Sequence, residues 1–179
     1  MRVIAGTRRG RLLRAPAGGA TRPTADRVRE AVFGVLGSLT DLDATVVADL
    51  FAGSGAMGIE ALSRGAATAV FVDRSPAAVR AVRDNLGSLE LEPQGRVVQQ
   101  DVVWFLDRPQ RFDVAFCDPP YDYEDWGELL ARLDAGLVVL ESGRPVDVPD
   151  SWETVRNKRY GGTLVTVARS LGAPQKGTS

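Results

Sequence analysis

Four consecutive residues, Asp118-Pro119-Pro120-Tyr121, follow the apolar run Phe112–Cys117. Two prolines cannot belong to a central strand, so the chain must leave its sheet here. Pro119 drives Asp118 toward an extended conformation, and Pro120 does the same to Pro119. The result is a stiff turn presenting a carboxylate, a backbone carbonyl and an aromatic ring. This trio suits methylation of an exocyclic amine, a poor nucleophile because its lone pair is delocalised into the base. The Asp118 carboxylate and the Pro119 carbonyl can hold the two amine hydrogens and aim the lone pair. Tyr121 can stack on a base that has left its own stack. An ordinary proline turn with a surface tyrosine is the plainer alternative. The chain contains no histidine, which removes Ser–His and Cys–His nucleophiles and histidine metal sites. Its single cysteine, Cys117, excludes an internal disulfide and a cysteine-built zinc site, and reads as a small core residue rather than a nucleophile. No metal is expected.

A second constellation lies upstream. Val46 to Gly58 runs from a strand through a glycine loop into a helix, with Gly53, Gly55 and Gly58 in a G-x-G-x-x-G pattern. Asp73 ends the next strand. Spacing alone allows a dinucleotide site, with pyrophosphate on the helix N-terminus and Asp73 on ribose hydroxyls. Asp49, at the strand end before the loop, argues otherwise: a carboxylate there repels phosphate but suits an ammonium or a sulfonium. S-adenosylmethionine carries both cations and has ribose hydroxyls for Asp73. The plainer alternative makes both acids loop-entry or capping residues. Asp101, after the third strand, could accept from an adenine amino group beside the Val102 N–H, or could cap the short helix that follows. The cofactor set expected is Asp49, Phe51, Gly53, Gly55, Asp73, Arg74, Asp101 and Val102.

The elements that must position these residues alternate. Strand-like runs at Thr45–Leu50, Thr68–Val72, Arg96–Gln99, Phe112–Cys117 and Leu137–Leu140 are separated by helical patterns at Met57–Arg64, Ala77–Leu89, Val102–Leu106 and Glu124–Leu133. Nearly continuous apolar strands between helices predict a parallel sheet covered on both faces, an α/β fold with its ligand at the carboxyl edge. Glu153–Lys158 and Leu164–Ala168 read as a closing antiparallel hairpin. Before the sheet, Val3–Ala5 and Leu12–Arg14 read as a small hairpin, and a helix begins near Thr24, a possible N-cap. Gly34 inside that helix costs about 1 kcal/mol relative to Ala and predicts a bend or a close approach. The organisation expected is a basic extension over 1–20, one catalytic domain over 21–170 and a disordered tail over 171–179.

Length and composition fit one soluble domain: 179 residues, 44% hydrophobic and 25% charged. No run approaches a membrane span, and Met1–Arg14 has no apolar stretch of secretory length, so a cytoplasmic location is expected. The net charge of −1 conceals segregation. Residues 1–30 carry eight arginines against Asp26 and Glu30, whereas residues 31–149 carry nineteen acids against nine arginines. A basic arm on an acidic body implies a polyanionic partner, with Arg8, Arg9, Arg11, Arg22 and Arg29 as candidate RNA phosphate ligands. Some of these should instead pair with Asp26 or Glu30. Arg156, Lys158 and Arg159 form a second basic cluster. An arginine-rich proteome explains the scarcity of lysine but not this segregation.

These residues resemble class I S-adenosylmethionine-dependent methyltransferases of the amino-methylating kind, and more narrowly the RsmD family of 16S rRNA guanine-N2 methyltransferases. The resemblance runs through Gly6–Arg11, Arg22–Phe33, Asp49–Gly55, Gly58–Ala66 and Asp118–Tyr121, with Arg22–Phe33 its most specific part. It implies a Rossmann-like, seven-stranded sheet with an N-terminal β-hairpin extension. It also implies N2 methylation of guanine 966 in the assembling or assembled small ribosomal subunit, by a monomer in which Asp118, Pro119 and Tyr121 are catalytic. DNA adenine-N6 methylation uses the same tetrapeptide but needs a target-reading insertion for which this chain has no obvious room. A nicotinamide oxidoreductase and a non-catalytic ribosome assembly factor are the readings from other classes.

Overall fold

A computed structural model describes residues 1–16 and 23–172, with backbone alone for 23–25. The expected N-cap at Thr24, the loop beyond Pro16, Arg22 and the tail from 173 lie outside the described side chains. The described elements are α1 (Pro23–Leu39), β1 (Val46–Leu50), α2 (Ala56–Ser63), β2 (Thr68–Asp73) and α3 (Pro76–Leu89), followed by β3 (Gly95–Gln99), α4 (Val102–Leu106) and β4 (Arg111–Cys117). The chain continues through α5 (Trp126–Arg132), β5 (Asp134–Ser142), β6 (Trp152–Tyr160) and β7 (Thr163–Ser170).

All seven strands form one sheet in the order β3-β2-β1-β4-β5-β7-β6. The first five are parallel; β7 runs antiparallel to β5, and β6 antiparallel to β7. The chain winds outward from β1 to β3 and then returns to the other side of β1 with β4. This reversal opens a crevice at the carboxyl ends of β1 and β4, the place where such sheets take ligands.

Strand alternation divides the core into two layers. Val47, Phe71, Val114, Phe116 and Val139 pack on one face under α1, α2 and α3, with Val32, Leu36, Ile59 and Leu86. Ala48, Val72, Ala115 and Leu140 pack on the other under α4 and α5, with Phe105, Leu129 and Leu130. Each fully buried Leu, Ile, Val or Phe contributes about 1.5–3 kcal/mol. Of the two alternatives for Gly34, the close approach is excluded, since nothing lies within 4 Å of a Cβ built there.

The N-terminal segment forms the expected small hairpin, with an antiparallel bridge from Arg2 to Leu12 and Val3 N–H donating to Arg11 O, Gly10 N–H to Val3 O and Leu13 N–H to Met1 O. Further backbone groups of this segment are satisfied by α2. Glu60, with no exposed surface, accepts the N–H groups of Ile4 at 2.8 Å and Ala5 at 3.0 Å. Ser63 Oγ donates to Ala5 O and accepts from Arg8 N–H. Gly6 sits at φ +81, and a Cβ there would lie 1.7 Å from Ser63 O, so only glycine permits this approach.

Candidate active site at the carboxyl edge of the sheet

The glycine loop is built around Asp49. Leaving β1, the chain turns through Phe51, Gly53 and Gly55, all at positive φ, and enters α2. The Asp49 Oδ2 accepts the Gly58 N–H at 2.8 Å, satisfying one of the donors that a helix start leaves open. A Cβ on Gly58 would lie 2.4 Å from Phe71 Cε1, so this glycine lets α2 press onto β2. Asp49 is only 4% exposed, behind the loop rather than on the cavity wall. This corrects the expectation that it meets a ligand cation directly. Its hydrogen bond holds the loop, and its charge acts through the loop.

The cavity beside the loop has a volume of about 890 Å³. Asp73 lines it while its two carboxylate oxygens accept from Gly53 N–H at 2.9 Å and Ser75 N–H at 2.8 Å. Asp101 lies just beyond the end of β3. It caps α4, accepting from Val103 N–H at 2.9 Å, and lines the cavity with Val102. Phe51 and Arg74 also line it, whereas Gly53 and Gly55 lie beneath as part of the loop.

Across the crevice, Asp118, Pro119, Pro120 and Tyr121 form the facing wall. The turn is closed by Tyr123 N–H donating to Pro120 O at 2.9 Å. Asp118 is exposed and Pro119 buried. Tyr121 is half exposed, its hydroxyl 3.5 Å from Thr163 Oγ1. Cys117 is wholly buried; burial, then the Asp49 and Asp118 charges, push its thiol up and keep it protonated.

Sequence reasoning missed Tyr123 and Glu141. Tyr123 lines the cavity and stands edge-on to Phe51, with ring centroids 5.3 Å apart. Burial pushes its hydroxyl up to about 12. Glu141 lines the cavity at the end of β5. It ends an apolar run as Asp49, Asp73 and Asp118 do, and that pattern was the available signal.

Seven acidic side chains and one arginine, Arg74, line the cavity among the described residues. The consequence is visible in the carboxylates. Burial, reinforced by Asp118 and Asp73 against the Gly58 hydrogen bond, pushes Asp49 up to about 8. Burial, then Asp118 and Asp49, raise Glu141 well above the usual carboxylate range, opposed by Arg29. Such a site is poised for a cation and hostile to pyrophosphate.

Residues 1–169 match the family model described as Conserved hypothetical protein 95, which is the RsmD family. The chain belongs to the RsmD family. It is 37% identical over 173 residues to ribosomal RNA small subunit methyltransferase D of Escherichia coli K12, covering 90% of this chain and 85% of that protein. It is 39% identical over 186 residues to YlbH of Bacillus subtilis 168, covering 96% and 100%. The solved yhhF structure of Escherichia coli superposes with a TM-score of 0.84 at 32% identity, covering 95% of this chain and 97% of that one.

The basic arm of this RsmD-family chain is partly self-engaged. Arg29 is corrected as a phosphate ligand: it is 2% exposed and lies 3.1 Å from Asp26 and 3.7 Å from Glu60. Its partner Glu60 is far away in sequence, so only the fold could reveal it. Arg8 Nε donates to Leu89 O and an Arg11 guanidinium nitrogen to Ser88 O, both on the last turn of α3, where cations are favoured. Arg9 and Arg11 remain exposed, and Arg8 half-buried.

Proposed function

We propose that this RsmD-family chain transfers a methyl group from S-adenosylmethionine to the N2 amine of a guanine in 16S rRNA. The position implied by the family resemblance is guanine 966, in the assembling or assembled small subunit. The carrying observation is an acid-lined cavity flanked by the glycine loop on one side and Asp118 to Tyr121 on the other.

The donor supplies an electrophilic methyl group on a sulfonium; the chain supplies position and field. Asp73 takes ribose hydroxyls with the lone pairs its backbone bonds leave, Asp101 and the Val102 N–H take the adenine edge, and Phe51 covers the ring. Arg74 completes this set. Asp49 keeps the loop in register and, with Asp118 and Glu141, favours positive charge in the cavity. Asp118 and the Pro119 carbonyl accept the two amine hydrogens, and Tyr121 stacks on the extruded base. Holding the nucleophile in line removes much of the entropic barrier, so no strong base is needed. Arg9 and Arg11, with Arg8 beside them, meet RNA phosphates.

Mapping methylated nucleotides in ribosomal RNA from cells lacking this protein tests the reading. Loss of one N2-methylguanine from 16S rRNA, restored by the wild-type chain but not by Asp118→Ala, is the expected result. An unchanged methylation map contradicts it.

A further inference from the structure

The end of β5 holds a carboxylate to which the reading above gives only a share of the field. Leu50, Cys117 and Leu140 are in register across β1, β4 and β5. Asp118 and Glu141 are therefore the next residues along two adjacent chains at the cavity wall. Leu140 is buried under α4 and α5, so strand alternation turns Glu141 to the opposite face, toward Asp49 and Arg29. The groups acting on it come from three neighbours: Asp118 after β4, Asp49 on β1 and Arg29 on α1. Arg29 is engaged with Asp26 and Glu60. Glu141 takes no hydrogen bond from any described residue. A partly buried carboxylate beside two others is costly, and among the described residues it has no donor.

Guanine supplies that donor. Its N1–H sits next to the N2 amine on the same edge, so a base held by its amine at Asp118 and Pro119 brings N1–H to the neighbouring acceptor. In 2-aminopurine the amine is the same but N1 is a bare lone pair, which would face the carboxylate lone pairs. We infer that Glu141 accepts the N1–H of the target guanine and thereby selects guanine among purines that carry an amine. This rests on the guanine reading proposed above. The positive charge of the bound donor in the same cavity favours the ionised form that such acceptance requires.

The test uses small ribosomal subunits reconstituted with ligated 16S rRNA carrying guanosine or 2-aminopurine riboside at the target position. Wild type should prefer guanosine by on the order of 10²-fold or more in kcat/KM, as sites built to pair a polar group reject analogues lacking it. Glu141→Gln, whose amide can donate to a bare N1, should shrink that preference to within about tenfold. Equal methylation of both subunits by wild type, or undiminished preference in Glu141→Gln, overturns the inference. The wild-type comparison stands even if the variant does not fold. No methylation of the guanosine subunit overturns the guanine reading itself, an outcome distinct from methylation of both.

Discussion

Asp118 and Asp49 are both strand-end acids, yet the fold gives them different work. Asp118 is exposed at the cavity, so removing it should strike methyl transfer and spare the fold. Asp118→Asn should lower kcat by about 10²-fold or more, the usual cost of losing orientation at a reacting centre. Its S-adenosylmethionine affinity should stay within a few fold; single-turnover kinetics beside calorimetry would separate the two effects. Asp49 is buried, and its proton affinity has a stability consequence. Its ordinary value is 3.8, and in the fold it is pushed up to about 8. Between these values the folded state binds a proton that the unfolded state releases. Stability from this group is therefore complete below 3.8 and is lost as pH rises to about 8. Urea midpoints of the ligand-free protein should fall from pH 6 to pH 9, and Asp49→Asn should flatten that fall. A rising midpoint would show that the carboxylate is ionised throughout.

At the scale of elements, the sheet was legible because β1, β2, β4 and β5 are buried on both faces and read as continuous apolar runs. The glycine loop and the proline turn were legible because glycine and proline constrain the backbone locally. The N-terminal hairpin was legible from the turn residues between its two runs, but its docking on α2 was not. Glu60 looks like any acid within a helix until residues 4 and 5 are found on it. The pairing of Arg29 with Asp26 fits the expected internal ion pairs, whereas its approach to Glu60 was hidden for the same reason. Breaking a buried charge cluster by removing one partner typically costs 3–5 kcal/mol. Glu60→Ala should therefore destabilise the protein by about 3 kcal/mol or more, read by chemical denaturation. Amide exchange at Ile4 and Ala5 should quicken before the rest of the sheet is affected. An unaltered exchange rate there would place the anchor of the arm elsewhere.

Over the whole molecule, the charge segregation read from the sequence becomes a division of surface and cavity. The acids gather at the carboxyl edge of the sheet, and exposed Arg9 and Arg11 stand on the arm clasped to α2 and α3. Asn85 of α3 ties the two regions, accepting from Arg14 N–H at 2.8 Å and donating to Arg14 O and to Ser54 O of the glycine loop. If Arg9 and Arg11 each neutralise one phosphate, replacing both by Ala should reduce the slope of log affinity for rRNA against log salt by about 2. Basal S-adenosylmethionine binding should be untouched. An unchanged slope would move the RNA contact to other cations, Arg156, Lys158 and Arg159 on β6 being the next candidates.

The acid-walled cavity should take a cationic methyl donor and not a pyrophosphate. Calorimetric titration of the wild-type chain with S-adenosylmethionine and with NAD, repeated in two buffers of different ionisation enthalpy, tests it most directly. One S-adenosylmethionine should bind per chain, with protons released near pH 7 as the raised carboxylates ionise, and NAD should give no measurable heat. Saturable NAD binding with none for S-adenosylmethionine would contradict it.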